Sequence, residues 1–419
     1  MPLHIDRDRL DFALASLLAR TILPSLEDGT ARMHADAALN LLIRNVLVPL
    51  RVTTPPAVEG ADVAAMLEAD QAQRQELSGL NSAMFKALAA GEADVLPPPT
   101  AEQLTALMRG LRKRPDQIVT GVQTLAGGNS KQTVLFEVDG EPLVMRRDHP
   151  ADFVGTTVAR EFAVLRGLYR AGFIVPEQLY LDTSGEVLSG AVMIGRKVAG
   201  RAAGDSKGPT AAAGVDPLGM MADVMARLHA INPRGIAAPG ITDIVWDEAA
   251  LLAQIDQWRA FYRRAVAEPI VVVEMAFDWL VRHAAQGVQR AAIVHGDNGY
   301  HNLLAEDGVA TALLDWELVH VGSAAEDLGY LKGQVERSGK FEDFLAAYEQ
   351  AGGERPPQAA LHYYYIYHLT RNAGIYAAAV GAFNAGKVDH LPLAATSSFL
   401  FEGAVKKLGE LMRAELARA

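Results

Sequence analysis

Two short apolar runs joined by Asp307-Gly308 constrain the fold more than any other stretch of this chain. Asp-Gly between apolar segments marks a tight hairpin, because both central residues tolerate a positive φ. The first run follows Ile293-Val294-His295-Gly296-Asp297-Asn298-Gly299-Tyr300-His301-Asn302, an apolar strand that opens into a polar loop. The second, Val309 to Leu314, leads into Asp315-Trp316-Glu317. With the turn centred on Asp307-Gly308, Asn302 is expected opposite Leu313, and Asp315 one diagonal step away, within about 7–8 Å. Local geometry alone then gathers Asp297, Asn302 and Asp315. Two oxygen donors beside a free carboxylate suit Mg²⁺ and a general base, an arrangement that phosphoryl transfer uses.

At 419 residues, half of them hydrophobic, the chain is long enough for two or three cores. No apolar run reaches the roughly 18–20 residues of a spanning helix, so no membrane partner is expected. The start, Met1-Pro2-Leu3-His4-Ile5-Asp6-Arg7, lacks a basic segment followed by an apolar one, so a cytoplasmic location is expected. Without cysteine there is no disulfide framework and no thiolate chemistry. A formal net charge of −11 argues against a nucleic-acid partner. From Leu331 to Ala419, ten Lys/Arg meet nine Asp/Glu, so the C-terminal region is no obvious trap for polycations.

Along the chain the period changes twice. Residues 1–113 read as successive helices: Leu10, Leu14, Leu17 and Leu18, then Ala38, Leu41, Leu42 and Val46, then Val63, Met66 and Leu67, then Leu104, Leu107, Met108 and Leu111. An oligomerisation module, a cap over the site and a bundle packed on the main domain are all compatible with this stretch. From about residue 115 strands follow: Gln117 to Leu125, Thr133 to Val138, Pro142 to Arg147, Glu177 to Asp182 and Val187 to Ile194. The first ends in Ala126-Gly127-Gly128-Asn129-Ser130, a loop that lets backbone N–H groups approach a phosphate and equally makes a plain hairpin turn. Thr157 to Arg170 is an amphipathic helix closed by Gly172, with Val158, Glu161, Phe162 and Leu165 on one face. A carboxylate on a packed face needs a cation, and Arg146 on the preceding strand is a candidate; otherwise Glu161 reaches solvent at the stripe's edge. After the connector Gly195 to Gly200, the remainder reads as helices around the one hairpin: Leu218–Ile231, Glu248–Ala267, Met275–Gln286, Glu342–Gly352, Leu361–Val380 and Ala394–Leu416.

A sheet with one helix, a connector and a helical lobe carrying a His-x-Asp loop is the layout of a protein-kinase-like fold. His295-Gly296-Asp297-x4-Asn302 followed by Asp315-Trp316-Glu317 resembles the H-G-D-x-x-x-x-N…D-W-E signature of aminoglycoside and choline kinase-like phosphotransferases. Gly127-Gly128-x-Ser130, Arg160-Glu161-Phe162, Leu228-His229 and Asp327-Leu328-Gly329-Tyr330 extend the match, and Val192-Met193-Ile194 resembles the strand entering a nucleotide-clamping hinge. The resemblance covers about residues 117–380 and is strongest to the branch whose kinase domain accompanies acyl-CoA dehydrogenases. It implies an α+β, bilobal fold: a helical N-terminal domain (1–113), an antiparallel-sheet lobe with hinge (114–200) and a helical lobe (201–419).

By the same resemblance, Asp297 accepts or orients the proton of the attacking hydroxyl, with His295 bracing its loop. Asn302 and Asp315 hold Mg²⁺. Gly127, Gly128, Ser130, Arg146, Glu161, Met193 and Ile194 serve ATP, with GTP as an alternative, and Asp327 ties the lobe to the loop. Kinase-like enzymes mostly carry Lys where this chain has Arg146; Arg keeps the charge and grips phosphate in bidentate fashion. The implied partner is a small hydroxylated molecule, either a hydroxyacyl-CoA or related metabolite, or an aminoglycoside, and a homodimer through residues 1–113 is a further expectation. Tyr367, His368 and Arg371, in an aromatic run that circles a whole helix, are candidates for acceptor contacts or for core packing. His301 with His295 and Asp297 offers a transition-metal alternative, and His229 reads as a core histidine. A catalytically idle binding module and a metal-dependent hydrolase are the rival readings.

Overall fold

The computed structural model describes residues 6–17, 96–125, 131–148, 156–205, 208–210, 216–387 and 391–418. Gly127, Gly128 and Ser130, and the helices expected between residues 18 and 95, lie outside the described residues. The described chain divides into two compact units. One holds 98–378 and 399–418; the other holds 6–17, 96–97 and 379–398. In the second unit the helix Arg7–Leu17 contributes Ala13 to a small cluster with Phe383 and Ala394, and the Asp6 backbone N–H donates to Asn384 Oδ1 at 2.9 Å.

The first unit begins with the helix Ala101–Arg112, which Thr100 and Gln103 close with a reciprocal capping box. Five antiparallel strands follow in the order β1-β2-β3-β5-β4: β1 (Val119–Thr124), β2 (Lys131–Val138), β3 (Glu141–Asp148), β4 (Gln178–Asp182) and β5 (Val192–Arg196). Strand alternation divides their side chains between two faces. Val134, Phe136, Leu143, Met145, Val192 and Ile194 join Leu104, Leu107 and Met108 in one buried cluster. The last helix of the N-terminal stretch is therefore the cover of this sheet, and each buried Leu or Ile contributes about 1.5–3 kcal/mol. The other face presents Thr133, Leu135, Val144, Arg146, Met193 and Gly195 to a cavity. The helix Val158–Arg170 contacts β3, β4 and β5, starts at the cap Thr157 and ends before Gly172 at φ 78°. The fifth strand run begins at Val192 rather than Val187, because bends and Gly190 at φ 88° precede it.

Beyond the connector come β6 (Arg201–Ala202), the ribbon β7 (Gly204–Asp205) with β8 (Gly208–Pro209), and the helices Pro217–Ala230, Glu248–Ala265 and Val271–Arg282. β9 (Ala291–Val294) pairs with β12 (His320–Ser323), and β10 (Leu303–Glu306) pairs with both β6 and β11 (Val309–Leu313). The Asp307-Gly308 turn has φ 49° and 79°, as a primed hairpin turn requires. The register differs from the expected one. Ala305 faces Ala310, yet Leu304 faces Ala312 and Leu303 faces Leu313, so Thr311 is a bulge. Asn302 consequently sits beside Leu314, whose N–H donates to the Asn302 carbonyl at 2.8 Å. The helix Ala324–Val335 follows β12, and neither element was legible as a separate segment. The 27-residue helix Gln358–Asn384 is covered by its neighbours around its circumference, with Tyr363, Tyr364, Ile366 and Tyr367 all buried.

Candidate functional site

The site is built on the loop between β9 and β10. Its anchor is Asp327, fully buried in the first turn of the helix Ala324–Val335. Asp327 Oδ2 accepts the His295 backbone N–H at 2.8 Å, and Oδ1 accepts that of Gly296 at 2.9 Å. His229 Nε2 lies 3.2 Å from Oδ2, while His229 Nδ1 meets the Tyr348 hydroxyl at 2.9 Å, so His229 is a satisfied core histidine. Burial pushes the Asp327 carboxyl up, but the hydrogen bond and charge interaction with His229 and the Gly296 N–H outweigh it and hold the pKa at about 2.

His295 connects the loop to the hairpin. Its Nδ1 accepts the Asp297 N–H at 3.1 Å, so Nε2 carries the proton and donates to the Leu314 carbonyl at 2.9 Å. Burial lowers its pKa and keeps it neutral. With both ring nitrogens engaged, His295 has no lone pair left for a transition metal. No group of three His, Cys, Asp or Glu side chains is placed to hold a metal among the described residues.

Asp297 has distinct surroundings at its two oxygens. Oδ2 accepts Asn302 Nδ2 at 3.2 Å and lies 3.9 Å from His301 Nε2; Oδ1 accepts the Tyr330 hydroxyl. Burial raises this carboxyl's pKa, and the His301 and Tyr330 contacts more than reverse the effect, so it stays ionised. Asn302 Nδ2 also donates to the Asp297 carbonyl at 2.8 Å, which leaves its Oδ1 as the atom available to a ligand. Asp315 closes the group at φ 65°, a conformation that costs a non-glycine residue about 1–3 kcal/mol. Its neighbour Trp316 holds it there, buried edge-on against Phe173 at 5.7 Å and donating Nε1 to the Leu313 carbonyl at 2.9 Å.

Arg146 spans the two sides of the site. Its Nη1 pairs with Glu161 Oε1, and its Nη2 pairs with Asp315 Oδ1 at 2.9 Å. Glu161 is 3% exposed, so the solvent-edge reading of its stripe does not hold. Burial works against the guanidinium, and the two carboxylates outweigh it, raising its pKa further above the ordinary value. Lys131 is a second buried cation at the cavity wall, but its ammonium is engaged by the Thr156 carbonyl at 2.5 Å and Asp148 at 3.3 Å.

Asp297, Asn302, Asp315, Arg146, Glu161 and Met193 all line one cavity of about 640 Å³. Apolar walls from Leu135, Val144, Leu165 and Leu304 suit a flat ring, and the donor set left open, an amide oxygen and a carboxylate, suits a hard divalent cation. Ile194 does not reach the cavity: strand alternation turns it into the sheet core, and Gly195 takes its place. Gly195, Arg196, Lys197 and Val198, read from the sequence only as a connector, line the cavity too, and so does Gln178, which the sequence did not single out. The same alternation, applied to Met193, would have found Gly195.

Tyr367, His368 and Arg371 are not at the cavity either. All three are buried beneath the loop. Arg371 Nη2 donates to the Gly296 carbonyl at 2.7 Å, and His368 Nε2 donates to the Glu326 carbonyl at 2.7 Å. Glu326, itself buried, lies 3.7 Å from Arg371 and 3.1 Å from His320. Their polar atoms meet backbone carbonyls inside the lobe rather than the cavity.

A five-stranded antiparallel sheet, the Asp327-anchored loop and the Asp315 hairpin thus meet at one cavity. The sequence model of the phosphotransferase enzyme family matches residues 121–362, and the chain belongs to that family. Among curated proteins it is similar to acyl-CoA dehydrogenase family member 11 of Gallus gallus, 24% identical over 315 residues, covering 69% of this chain and 39% of that protein. The Homo sapiens counterpart is 23% identical over 213 residues, covering 48% of this chain and 26% of that one. The chain thus spans well under half the length of these relatives. Among solved structures, a Ralstonia eutropha protein provisionally assigned as an aminoglycoside phosphotransferase superposes with a TM-score of 0.57 at 23% identity, covering 75% of this chain and 98% of that one. A thermostable mutant of aminoglycoside phosphotransferase APH(4)-Ia, in ternary complex with AMP-PNP and hygromycin B, gives 0.52 at 18% identity, covering 73% and 98%. At these identities the structures establish the fold. No helix among the described residues is long and apolar enough to cross a membrane.

Proposed function

We propose that this chain is a Mg²⁺- and ATP-dependent O-phosphotransferase that modifies a hydroxyl of a small molecule. The observation that carries the reading is the convergence of Asp297, Asn302, Asp315 and Arg146 on one cavity wall. The acceptor oxygen attacks the γ-phosphorus, the bond to the bridging oxygen of the nucleoside diphosphate breaks, and the acceptor's proton passes to Asp297. Arg146 and the loop 127–130 hold the phosphates. The apolar walls with Met193 hold the base, and Glu161 keeps Arg146 directed at the phosphates. Asn302 Oδ1 and the Asp315 carboxylate would hold Mg²⁺, which when bound neutralises charge on the transferred phosphoryl group. His295 keeps the loop in register without exchanging a proton. The AMP-PNP complex of a structural neighbour supports nucleotide use.

For the acceptor we propose a hydroxyacyl-CoA or a related metabolite, in keeping with the similarity to acyl-CoA dehydrogenase family member 11. Residues 1–113 are proposed as an all-α domain through which two copies associate, 114–200 and 201–419 as the two lobes, and the cytoplasm as the working compartment. Mass spectrometry of Mg-ATP and Mg-GTP reactions with hydroxyacyl-CoA and aminoglycoside panels tests the reading. Gain of one phosphoryl group on a hydroxyacyl-CoA supports it. Gain on aminoglycosides alone overturns the acceptor class. Nucleotide binding without transfer to any acceptor indicates an idle module, and phosphate release from a phosphoester without nucleotide indicates a hydrolase.

A further inference from the structure

We infer that the Tyr330 hydroxyl occupies, in the ligand-free protein, the place of the acceptor hydroxyl on Asp297, and so guards the nucleotide against transfer to water. The inference rests on the phosphotransferase reading above. Asp297 Oδ2 is turned toward Asn302 and His301, both in the cavity wall where the phosphates would lie. With Oδ2 engaged by the Asn302 amide, Oδ1 is the oxygen left for general-base chemistry, and Oδ1 accepts the Tyr330 O–H.

The hydroxyl is held there by its ring. Tyr330 lies in the helix Ala324–Val335, three residues after the Asp327 anchor, and packs edge-on against His368 at 5.1 Å. His368 is in turn fixed to the Glu326 carbonyl one turn earlier in that same helix.

A phenol in this position blocks without reacting. Burial raises the Tyr330 pKa first and the Asp297 charge raises it further, well above an ordinary phenol, so the proton stays on tyrosine. An acceptor alcohol replaces this hydrogen bond with an equivalent one and adds the binding energy of the rest of its molecule. Water brings the one hydrogen bond and nothing else, so it competes poorly with a tethered group. If water did take the position, its oxygen would bond to the γ-phosphorus and one proton would go to Asp297. The bond to the bridging oxygen would break, giving nucleoside diphosphate and inorganic phosphate.

The test uses the full chain and the variant Tyr330→Phe, which keeps the ring and its contact with His368. Inorganic phosphate release from Mg-ATP is measured without acceptor, and transfer is measured with the acceptor that the screen identifies. The variant should release phosphate about tenfold faster and show a severalfold lower KM for acceptor, since the occupant no longer has to be displaced. Unchanged phosphate release in Tyr330→Phe overturns the inference and leaves the phosphotransferase reading standing. A fall in hydrolysis and transfer together also overturns it, because it marks Tyr330 as a mere prop for Asp297. Absence of both hydrolysis and transfer in the wild-type protein removes the underlying reading and this inference with it.

Discussion

Replacing Asp327 with Asn probes the anchor on which the loop depends. The carboxylate accepts two backbone N–H groups and faces His229, with no exposure to solvent. Its folded pKa of about 2 stands against the ordinary 3.8, a gap worth about 2 kcal/mol. The sign follows from the depressed value. The stabilisation is complete above the unfolded pKa and is lost as pH falls through about 4 to about 2, with roughly half gone by pH 3. Asp327→Asn should therefore be less stable than wild type by about 2–3 kcal/mol at pH 7, with that difference shrinking by about half at pH 3. Urea denaturation followed by tryptophan fluorescence at pH 7, 5 and 3 measures it. Equal stabilities at pH 7, or a difference unchanged at pH 3, would refute the reasoning.

Other perturbations test the remaining contacts. Arg146→Gln leaves Glu161 buried without its cation and should destabilise the fold by about 3–5 kcal/mol; adding Glu161→Gln should restore most of the stability but not nucleotide affinity, which calorimetry with Mg-ATP would read. Gly195→Ala places a Cβ 2.8 Å from the Glu177 carbonyl and 2.7 Å from Gln178 Nε2. Thermal denaturation should show a loss of about 1–3 kcal/mol for that overpacking, together with a raised KM for nucleotide.

The period-2 and period-3.6 patterns made the sheet and most helices legible, because one face of each strand must meet a core. Glu161 stood out because a carboxylate on a packed face demands a cation, and Arg146 supplies it. The Thr311 bulge escaped because nothing in Val309 to Leu314 distinguishes a paired threonine from a looped-out one. Its cause is tertiary: Thr311 Oγ1 donates to the Ala199 carbonyl at 2.6 Å, a contact across more than a hundred residues of sequence. The misplacement of Tyr367, His368 and Arg371 has a different origin. Polar atoms in an aromatic run read equally well as ligands for a substrate or as partners for buried backbone. Only the Gly296 and Glu326 carbonyls decide for the latter. Ile194 was assigned to the hinge with Met193, although adjacent strand residues face opposite sides.

The most direct test of the account compares wild type with Asp297→Asn for phosphoryl transfer to the screened acceptor, with Mg-ATP affinity measured on the same samples. Asparagine keeps the side chain's size and cannot take up the acceptor's proton. The account predicts that transfer falls by about 10²–10⁴-fold while the nucleotide Kd stays within threefold. Full transfer activity in Asp297→Asn would contradict it.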